Sequence, residues 1–186
     1  MQINLKQSLS ALGASIILFI QTGCGGGNAG AEAATKDQME MLKLALEKYH
    51  EKFGEYPKVK DSHATSAALV SNGTTFPANS TVALYQAISG DGNDRLDLPS
   101  QFKELKSNGT LDSGETEISK LPAEMIKEVE GIYFLVDGYG KPWQYRNGND
   151  PRAINKLTYD LWSLGESMEY KEDQKEQSDP NWIRNW

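Results

Sequence analysis

The segment AATKDQMEMLKLALEKYHEKFGEYP, residues 33 to 57, carries the clearest structural pattern in the chain. Its apolar residues recur at alternating spacings of three and four, which places them on one face of a helix. They are Met39, Leu42, Leu46, Tyr49 and Phe53. Gly54 suits the position just after a helix, and Pro57 prevents its continuation. We therefore expect a long amphipathic helix, which needs a partner to cover its apolar face.

The start of this helix is less sharply marked than its end. Thr35 and Gln38 have the spacing of a capping box, which predicts a start near residue 35. The alanine-rich stretch before Thr35 offers an alternative, in which the helix extends towards the N-terminus.

Strand patterns are concentrated late in the chain, in GIYFLVD (131–137), KPWQYRN (141–147) and KLTYDLWSLG (156–165). The last of these alternates Leu157, Tyr159 and Leu161. The cluster DGYGKP (137–142) predicts a turn, in which Gly140 permits a positive backbone dihedral. We expect three antiparallel strands in one sheet, packed against the long helix in an α+β fold with irregular loops. The aromatic side chains expected in its core are Tyr133, Phe134, Trp143, Tyr145, Tyr159 and Trp162.

The middle of the chain gives weaker signals. TVALYQAISG (81–90) predicts a short helix that ends at Gly90. PAEMIKEVE (122–130) predicts a turn or a short helix after Pro122. Residues 58–80 are rich in small polar residues and have little periodicity, as a loop would.

The N-terminus has the composition of a targeting segment. Lys6 precedes an apolar run over residues 9–20, which is short for a membrane span but suits the core of a signal peptide. The following QTGC resembles the lipobox of bacterial lipoproteins, in which the cysteine is acylated and becomes the new first residue. Gln21 departs from that pattern, where an aliphatic residue is usual. Alternatives are an ordinary cleaved signal peptide and an uncleaved membrane anchor.

These features predict three parts. Residues 1–23 form a lipoprotein-type signal peptide, residues 24–33 a glycine-rich flexible tether that begins at the lipidated Cys24, and residues 34–186 one globular domain. Gly25 is not the aspartate that retains lipoproteins at the inner membrane, so the lipobox resemblance favours the outer membrane.

Composition excludes several classes of function. The formal net charge is −7 at pH 7, which gives no electrostatic basis for binding nucleic acid. Cys24 is the single cysteine, so the chain has no internal disulfide. The two histidines, His50 and His63, belong to no catalytic motif, and we expect no enzymatic activity.

Four segments together resemble the major pseudopilin of the type II secretion system. They are ALEKYHEKFGEYP (45–57), DGYGKPWQYR (137–146), YDLWSLGES (159–167) and WIRNW (182–186). The resemblance implies a pilin-like globular domain. The residues matching family positions are Tyr49, Gly54, Tyr56, Pro57, Asp137, Gly140, Pro142, Tyr145, Tyr159, Asp160, Ser163, Gly165 and Trp186.

The N-terminus departs from that family. A pseudopilin begins with a long hydrophobic helix that carries an early glutamate and is continuous with the soluble helix. Here the apolar run has no glutamate, and GCGGGNAG (23–30) separates it from the helix. The resemblance therefore implies a pseudopilin-like domain held at the membrane by lipid.

The resemblance also implies a calcium loop after Ser-Leu-Gly, because the family binds the ion there through carbonyls and aspartates, and calcium prefers oxygen ligands. The corresponding candidates are Ser163, Leu164, Glu166, Ser167, Asp173 and Asp179. The alternative is a solvated acidic loop. A weaker candidate is DGNDRLD (91–97), which lacks the glycine and terminal glutamate of an EF-hand.

The predicted function is that of a noncatalytic, lipid-anchored protein of the bacterial envelope that faces the periplasm. Its expected partners are the membrane, through its lipid, and type II secretion components or other pseudopilins. Two alternatives stay open: a true pseudopilin subunit that keeps its N-terminal helix, and a standalone ligand-binding lipoprotein.

Overall fold

The computed structural model describes residues 27–59, 69–71, 74–76, 79–92, 107–112, 116–129, 131–167 and 180–186. The predictions on the signal peptide, Cys24, Asp173 and Asp179 lie outside these residues. The helices are α1 (Asn28–Phe53) and α2 (Asn79–Ser89), with a 3₁₀ turn at Ala123–Met125. The strands are β1 (Leu69–Ser71), β2 (Thr74–Phe76), β3 (Ile126–Val129), β4 (Ile132–Leu135), β5 (Gln144–Asn147), β6 (Tyr159–Ser163) and β7 (Ile183–Arg184).

Helix α1 ends at Phe53, before Gly54, as the sequence predicts, but it starts earlier than the capping box at Thr35 predicts. Gly54 has φ 75° and donates its N–H to His50 O at 2.7 Å, which closes the helix. The helix begins at Asn28, so the predicted tether is wrong for residues 28–33. Thr35 is no cap, because its hydroxyl lies inside the helix and donates to Ala31 O at 2.7 Å. The alanines here favour helix, and a hairpin described below packs on this part of α1.

The apolar face of α1 packs into the main core, as an α+β fold requires. Met39, Leu42, Leu46 and Tyr49 are buried, whereas Phe53 is half-buried. The main core combines residues of both helices and two sheets: Met39, Leu42, Ala45, Leu46, Tyr56, Leu84, Tyr85, Ile88, Leu121, Met125, Leu135, Trp143, Tyr145, Tyr159 and Leu161. Neither described helix combines the length and apolarity that a bilayer crossing needs.

The predicted strands form, but not in a single sheet. β4 pairs with β3, whereas β5, β6 and β7 form a separate antiparallel sheet in that order. One bridge, between Val136 and Pro142, links β4 to the chain before β5. On either side of this bridge, Asp137 N–H donates to Lys141 O at 2.8 Å and Trp143 N–H donates to Leu135 O at 3.0 Å. The ladder goes no further because Leu135 N–H donates to the Thr81 hydroxyl at 3.0 Å. Of the aromatic residues expected in the core, Tyr133 is half-buried and the others are buried.

Strand β6 is buried on both faces, and its successive side chains pack alternately into two different cores. Tyr159 and Leu161 belong to the main core on the α1 side. Trp162 belongs to a second core on the other face, with Val82, Phe134, Val136, Leu164 and Trp182. The prediction that Leu157 belongs to this strand is wrong. The residue lies in the turn before β6, and its side chain is 94% exposed.

The middle of the chain contains more regular structure than its sequence indicated. α2 forms as predicted and ends at Gly90, which has φ 72°. β1 and β2 form a short hairpin within the stretch expected to be a loop. After Pro122 the predicted turn is present, but residues 126–129 are a strand, because β3 finds a partner in β4.

Candidate functional site

The end of α1 contacts two of the other segments that carry the family resemblance. Tyr145 donates its hydroxyl to Pro57 O at 2.7 Å, and Asn147 Nδ2 donates to both Tyr56 O and Pro57 O at 3.0 Å. The rings of Tyr56 and Tyr159 meet edge to face, with centroids 4.9 Å apart. The motif residues Tyr145 and Tyr159, together with Asn147, therefore fix the chain that leaves α1 on the sheet. Their role at this place is structural.

Asp137 organises the hairpin between β4 and β5. Its Oδ1 accepts the backbone N–H groups of Tyr139 and Lys141 at 2.9 and 2.8 Å, and its Oδ2 accepts the Ser163 hydroxyl at 2.5 Å. Gly140 takes φ 73° in the same turn, as predicted. Burial raises the pKa of Asp137, whereas the bonds from Ser163 and the two N–H groups, and the charge of Lys141, lower it.

The C-terminal segment is fixed to β6. Leu161 donates its N–H to Asn185 Oδ1 at 2.8 Å, and the ring of Trp186 meets that of Trp162 edge to face at 5.6 Å. Gly165, with φ 53°, lies so close to Asn181 O that a Cβ would collide with this oxygen. The fourth segment thus joins the other three.

Asp160, another motif residue, has a structural role in the loop before β6. Its two carboxylate oxygens accept the N–H groups of Ile154 and Asn155 at 2.8 and 2.9 Å. These bonds fix the turn that precedes the strand.

Lys141 is a buried lysine whose ammonium reaches the predicted calcium loop. Its Nζ donates to Gly165 O at 2.6 Å and to Ser167 O at 2.7 Å, and the residue is 4% exposed. Burial lowers the pKa of Lys141, whereas the charges of Asp137 and Glu166 raise it. Carbonyl oxygens of this loop are therefore already bound to a cation that the chain itself supplies.

The calcium candidates within the described residues have other partners or face solvent. The Ser163 hydroxyl donates to Asp137 and accepts Gly165 N–H at 2.9 Å. Leu164 O accepts the N–H of Ser167 at 2.9 Å, and Glu166 is exposed. No cluster of three metal-ligating side chains occurs in the described residues. With Asp173 and Asp179 outside them, calcium binding stays a prediction.

The weaker acidic candidate, residues 91–97, is described only at its first two positions. Asp91 is buried and accepts the Tyr85 hydroxyl at 2.7 Å and the N–H groups of Asn108 and Gly109 at 2.9 and 2.8 Å. These bonds give Asp91 a structural role in fixing the chain after α2.

Of the two histidines, His50 is described. It is exposed and stacks on Tyr56, with ring centroids 4.5 Å apart. Tyr56 donates to the Glu47 carboxylate at 3.0 Å, and burial together with this carboxylate raises the pKa of Tyr56 to about 12. The absence of enzymatic activity stays a prediction.

The turn of the hairpin packs directly on the first turns of α1. Gly138 donates its N–H to Thr35 Oγ1 at 3.0 Å, and Tyr139 donates its hydroxyl to Asn28 O at 3.4 Å. A Cβ on Gly138 would overlap Ala31 O and lie 3.0 Å from the Ala34 methyl. This close approach requires glycine. It stabilises the helical conformation of residues 28–33, which were predicted to belong to a tether.

A cleft of about 460 Å³ was not expected from the sequence. It lies where β5, the start of α2, the loop after β5 and the chain after α1 meet. Its lining includes Lys58, Val59, Asn79, Ser80, Gln144, Tyr145, Arg146, Asn147, Asn149, Asp150, Pro151, Arg152 and Trp162. The one sequence signal is the alternation in β5, where Gln144 and Arg146 lie between core positions and are nevertheless buried.

Comparisons with protein-family models, with curated proteins and with solved structures find no match to this chain.

Proposed function

We propose that the chain is a noncatalytic, lipid-anchored protein of the bacterial envelope, with a pseudopilin-like domain that faces the periplasm. The domain acts through protein contacts with type II secretion components or other pseudopilins. The lipid at Cys24 places it at a membrane, the outer membrane more than the inner.

One observation carries the proposal: the four segments of the resemblance, dispersed over the chain, form one connected unit. Tyr145 ties the hairpin to the end of α1, Ser163 ties β6 to the hairpin, and Asn185 ties the C-terminus to β6. Similarity in segments that meet in space supports a shared domain more strongly than similarity in isolated segments. The same bonds give these residues structural roles, which suits a protein without catalytic chemistry.

The start of α1 sets how far the domain stands from its proposed anchor. Since Asn28 is already helical, four peptide links separate Cys24 from α1. Four extended links span at most about 14 Å. The lipid at Cys24 would therefore hold the first turn of α1 within about 14 Å of the anchor.

The anchor is tested by mass spectrometry of the protein from bacterial envelopes. We expect an N-terminal peptide that begins at an acylated Cys24, and we expect Cys24→Ser to abolish processing and acylation. Gln21→Leu is the matched control, because it restores the usual aliphatic residue and should preserve or improve processing. An unmodified peptide that contains residues before Cys24 contradicts the anchor.

The partner is tested by site-specific photocrosslinking in cells. A crosslinker at Leu44, an exposed apolar residue of α1, should give adducts with secretion pseudopilins that specific antibodies detect. A crosslinker at Met125, which is fully buried, is the control and should give none. Absence of pseudopilin adducts from Leu44 and from other exposed positions contradicts the proposed partners.

The alternatives make different predictions. A true pseudopilin should be cleaved near its extreme N-terminus by a prepilin peptidase and should assemble into filaments. A standalone ligand-binding lipoprotein should leave secretion unaffected when it is deleted. The cleft beside β5 is the observation that favours this second alternative.

Calcium binding by the loop after β6 is part of the proposal. The residues that would hold the ion are Ser163, Leu164, Glu166, Ser167, Asp173 and Asp179, and among them Ser167 O already accepts the Lys141 ammonium at 2.7 Å. Binding should raise the melting temperature in millimolar calcium relative to chelator. Equal melting temperatures in the two solutions remove calcium from the proposal.

A further inference from the structure

The cleft beside β5 contains a buried guanidinium that the structure holds in place. Arg146 is 7% exposed, its guanidinium lies over the ring of Trp162 at 5.2 Å, and its Nη1 donates to Arg152 O at 3.1 Å. A guanidinium carries five N–H donors in a planar fork. Burial of this cation is unfavourable unless an anion compensates its charge.

The described lining of the cleft carries more positive than negative charge. Asp150 is its one described carboxylate, and Arg152 Nη2 and Nε donate to it at 2.8 and 3.1 Å. The hydrogen bond from Arg152 lowers the pKa of Asp150 to about 2, and the charge of Arg146 contributes. Asp150 is thus hydrogen-bonded to Arg152, while Arg146 acts on it through charge alone. Lys58 also lines the cleft and pairs with Glu55 outside it.

Two other polar side chains of the lining, Asn147 and Gln144, are held by hydrogen bonds within the domain. Asn147 donates to backbone oxygens and accepts the N–H of Asn149 at 2.9 Å, while Gln144 Nε2 donates to Pro142 O at 2.9 Å. The first residues of α2, Asn79 and Ser80, also line the cleft. The positive end of this helix therefore adds to the charge of the guanidinium groups.

We propose that this cleft binds a carboxylate group, held by the guanidinium groups of Arg146 and Arg152. A guanidinium fork matches the two oxygens of a carboxylate, and a fixed fork loses little entropy on binding. The carboxylate belongs to an acidic peptide or to a sugar acid, both of which present this group beside further hydrogen-bonding atoms.

The two sources are distinguished with small probes added to the full-length chain in detergent. N-acetylglutamate represents the peptide and glucuronate the sugar acid. N-acetylglutamine and glucose are their uncharged counterparts. Binding is measured by calorimetry and by NMR shifts of the Arg146 Nε–H and Trp162 indole N–H. We expect one acid to bind and to shift both signals, and its uncharged counterpart to bind at least about tenfold more weakly.

Variants of the lining locate the binding. Arg152→Gln should weaken binding of the acid roughly threefold, because Arg152 is partly exposed. Asp150→Asn should strengthen it by a similar factor, because it removes the competing carboxylate. Arg146→Lys keeps the charge but loses the fork, and we expect about tenfold weaker binding.

Arg184→Gln is the matched control. Arg184 lies over Trp186 at 5.8 Å, which repeats the contact of Arg146 with Trp162, but it does not line the cleft. Its substitution should leave the affinity unchanged. The proposal is overturned if neither acid binds at millimolar concentration, if acids and uncharged counterparts bind equally, or if Asp150→Asn and Arg152→Gln both leave the affinity unchanged. The last two variants keep the test valid even if Arg146→Lys does not fold.

Discussion

From Met39 to Leu46, α1 buries a continuous stripe of apolar side chains in the main core, whereas from Asn28 to Lys36 most of its side chains are exposed. The second part is held by a polar contact, in which Gly138 donates to the buried Thr35 and packs on Ala31. One helix is thus stabilised by two means, burial of apolar area at one end and a close backbone approach at the other.

The difference predicts unequal responses to substitution. An apolar stripe shares its energy with the whole core, so its loss should lower the free energy of unfolding of the entire domain. A single hairpin contact supports the first turns alone, so its loss should first show as local opening. Leu42→Ala, Gly138→Ala and Glu32→Gln test this contrast in α1, and Lys141→Met compares a buried polar contact elsewhere in the domain.

Leu42→Ala should lower the free energy of unfolding by about 3 kcal/mol, because it removes a fully buried side chain and leaves a cavity. Leu44→Ala, two residues further along α1, is the control, because Leu44 is 58% exposed. It should change the free energy of unfolding by less than about 0.5 kcal/mol. Urea denaturation followed by circular dichroism measures both. Equal effects of the two substitutions would contradict the burial of this stripe.

Lys141→Met should destabilise the domain by about 2 kcal/mol, because Gly165 O and Ser167 O lose a charged donor. Lys156→Met is matched, since Lys156 also donates to two carbonyls but is exposed, and its effect should stay below about 0.5 kcal/mol. Denaturant unfolding at neutral pH compares them. If the two variants lose similar free energies of unfolding, burial does not determine how much the Lys141 contact stabilises the domain.

The effect of Lys141→Met should also depend on pH, through Asp137. Burial raises the folded-state pKa of Asp137 above its ordinary 3.8, and loss of the nearby lysine charge raises it further. The folded variant then holds a proton that the unfolded chain releases, so stability falls as pH rises from about 4 through the new pKa. We expect the deficit relative to wild type to grow from pH 4 to pH 7. A deficit constant over this range contradicts the role of Asp137.

Gly138→Ala should cost about 1 to 2 kcal/mol, because the new methyl overlaps α1. Hydrogen exchange should show lost protection over residues 28–36 and unchanged protection over residues 39–53. Gly140→Ala is the control in the same turn, since it has open space around its Cβ and strains only a positive φ. It should leave the protection of residues 28–36 intact. Loss of protection along all of α1 in Gly138→Ala would break the distinction between the two parts.

Glu32→Gln should have the smallest effect, below about 0.5 kcal/mol. Glu32 pairs with Lys36 at 2.5 Å on the exposed face of the first turns, and surface pairs contribute little. Thermal unfolding at low and high salt measures this. A larger loss would mean that surface charge, and not the hairpin, holds the start of α1.

The sequence indicated one half of this contrast and missed the other. The spacing from Met39 to Phe53 predicts a helix because a period near 3.6 reflects burial on one side. The first turns have no such stripe, so the glycine-rich sequence predicted a tether, although the alanines before Thr35 offered the alternative of a longer helix. The alanines favour helix there, and the contact with Gly138, more than a hundred residues away, adds support that no local pattern contains.

The other features of the domain also divide into those that local sequence determines and those that long-range packing determines. The chain by itself determined the long helix, the turn at Gly140 and the strands around Trp143 and Tyr159, because periodicity and turn preferences are local properties. Only the tertiary structure decided that β4 and β5 lie in separate sheets, that Lys141 binds the loop after β6, and that Arg146 lies buried in a cleft. These depend on which distant segments pack together, and packing over long separations leaves little trace in the spacing of residues.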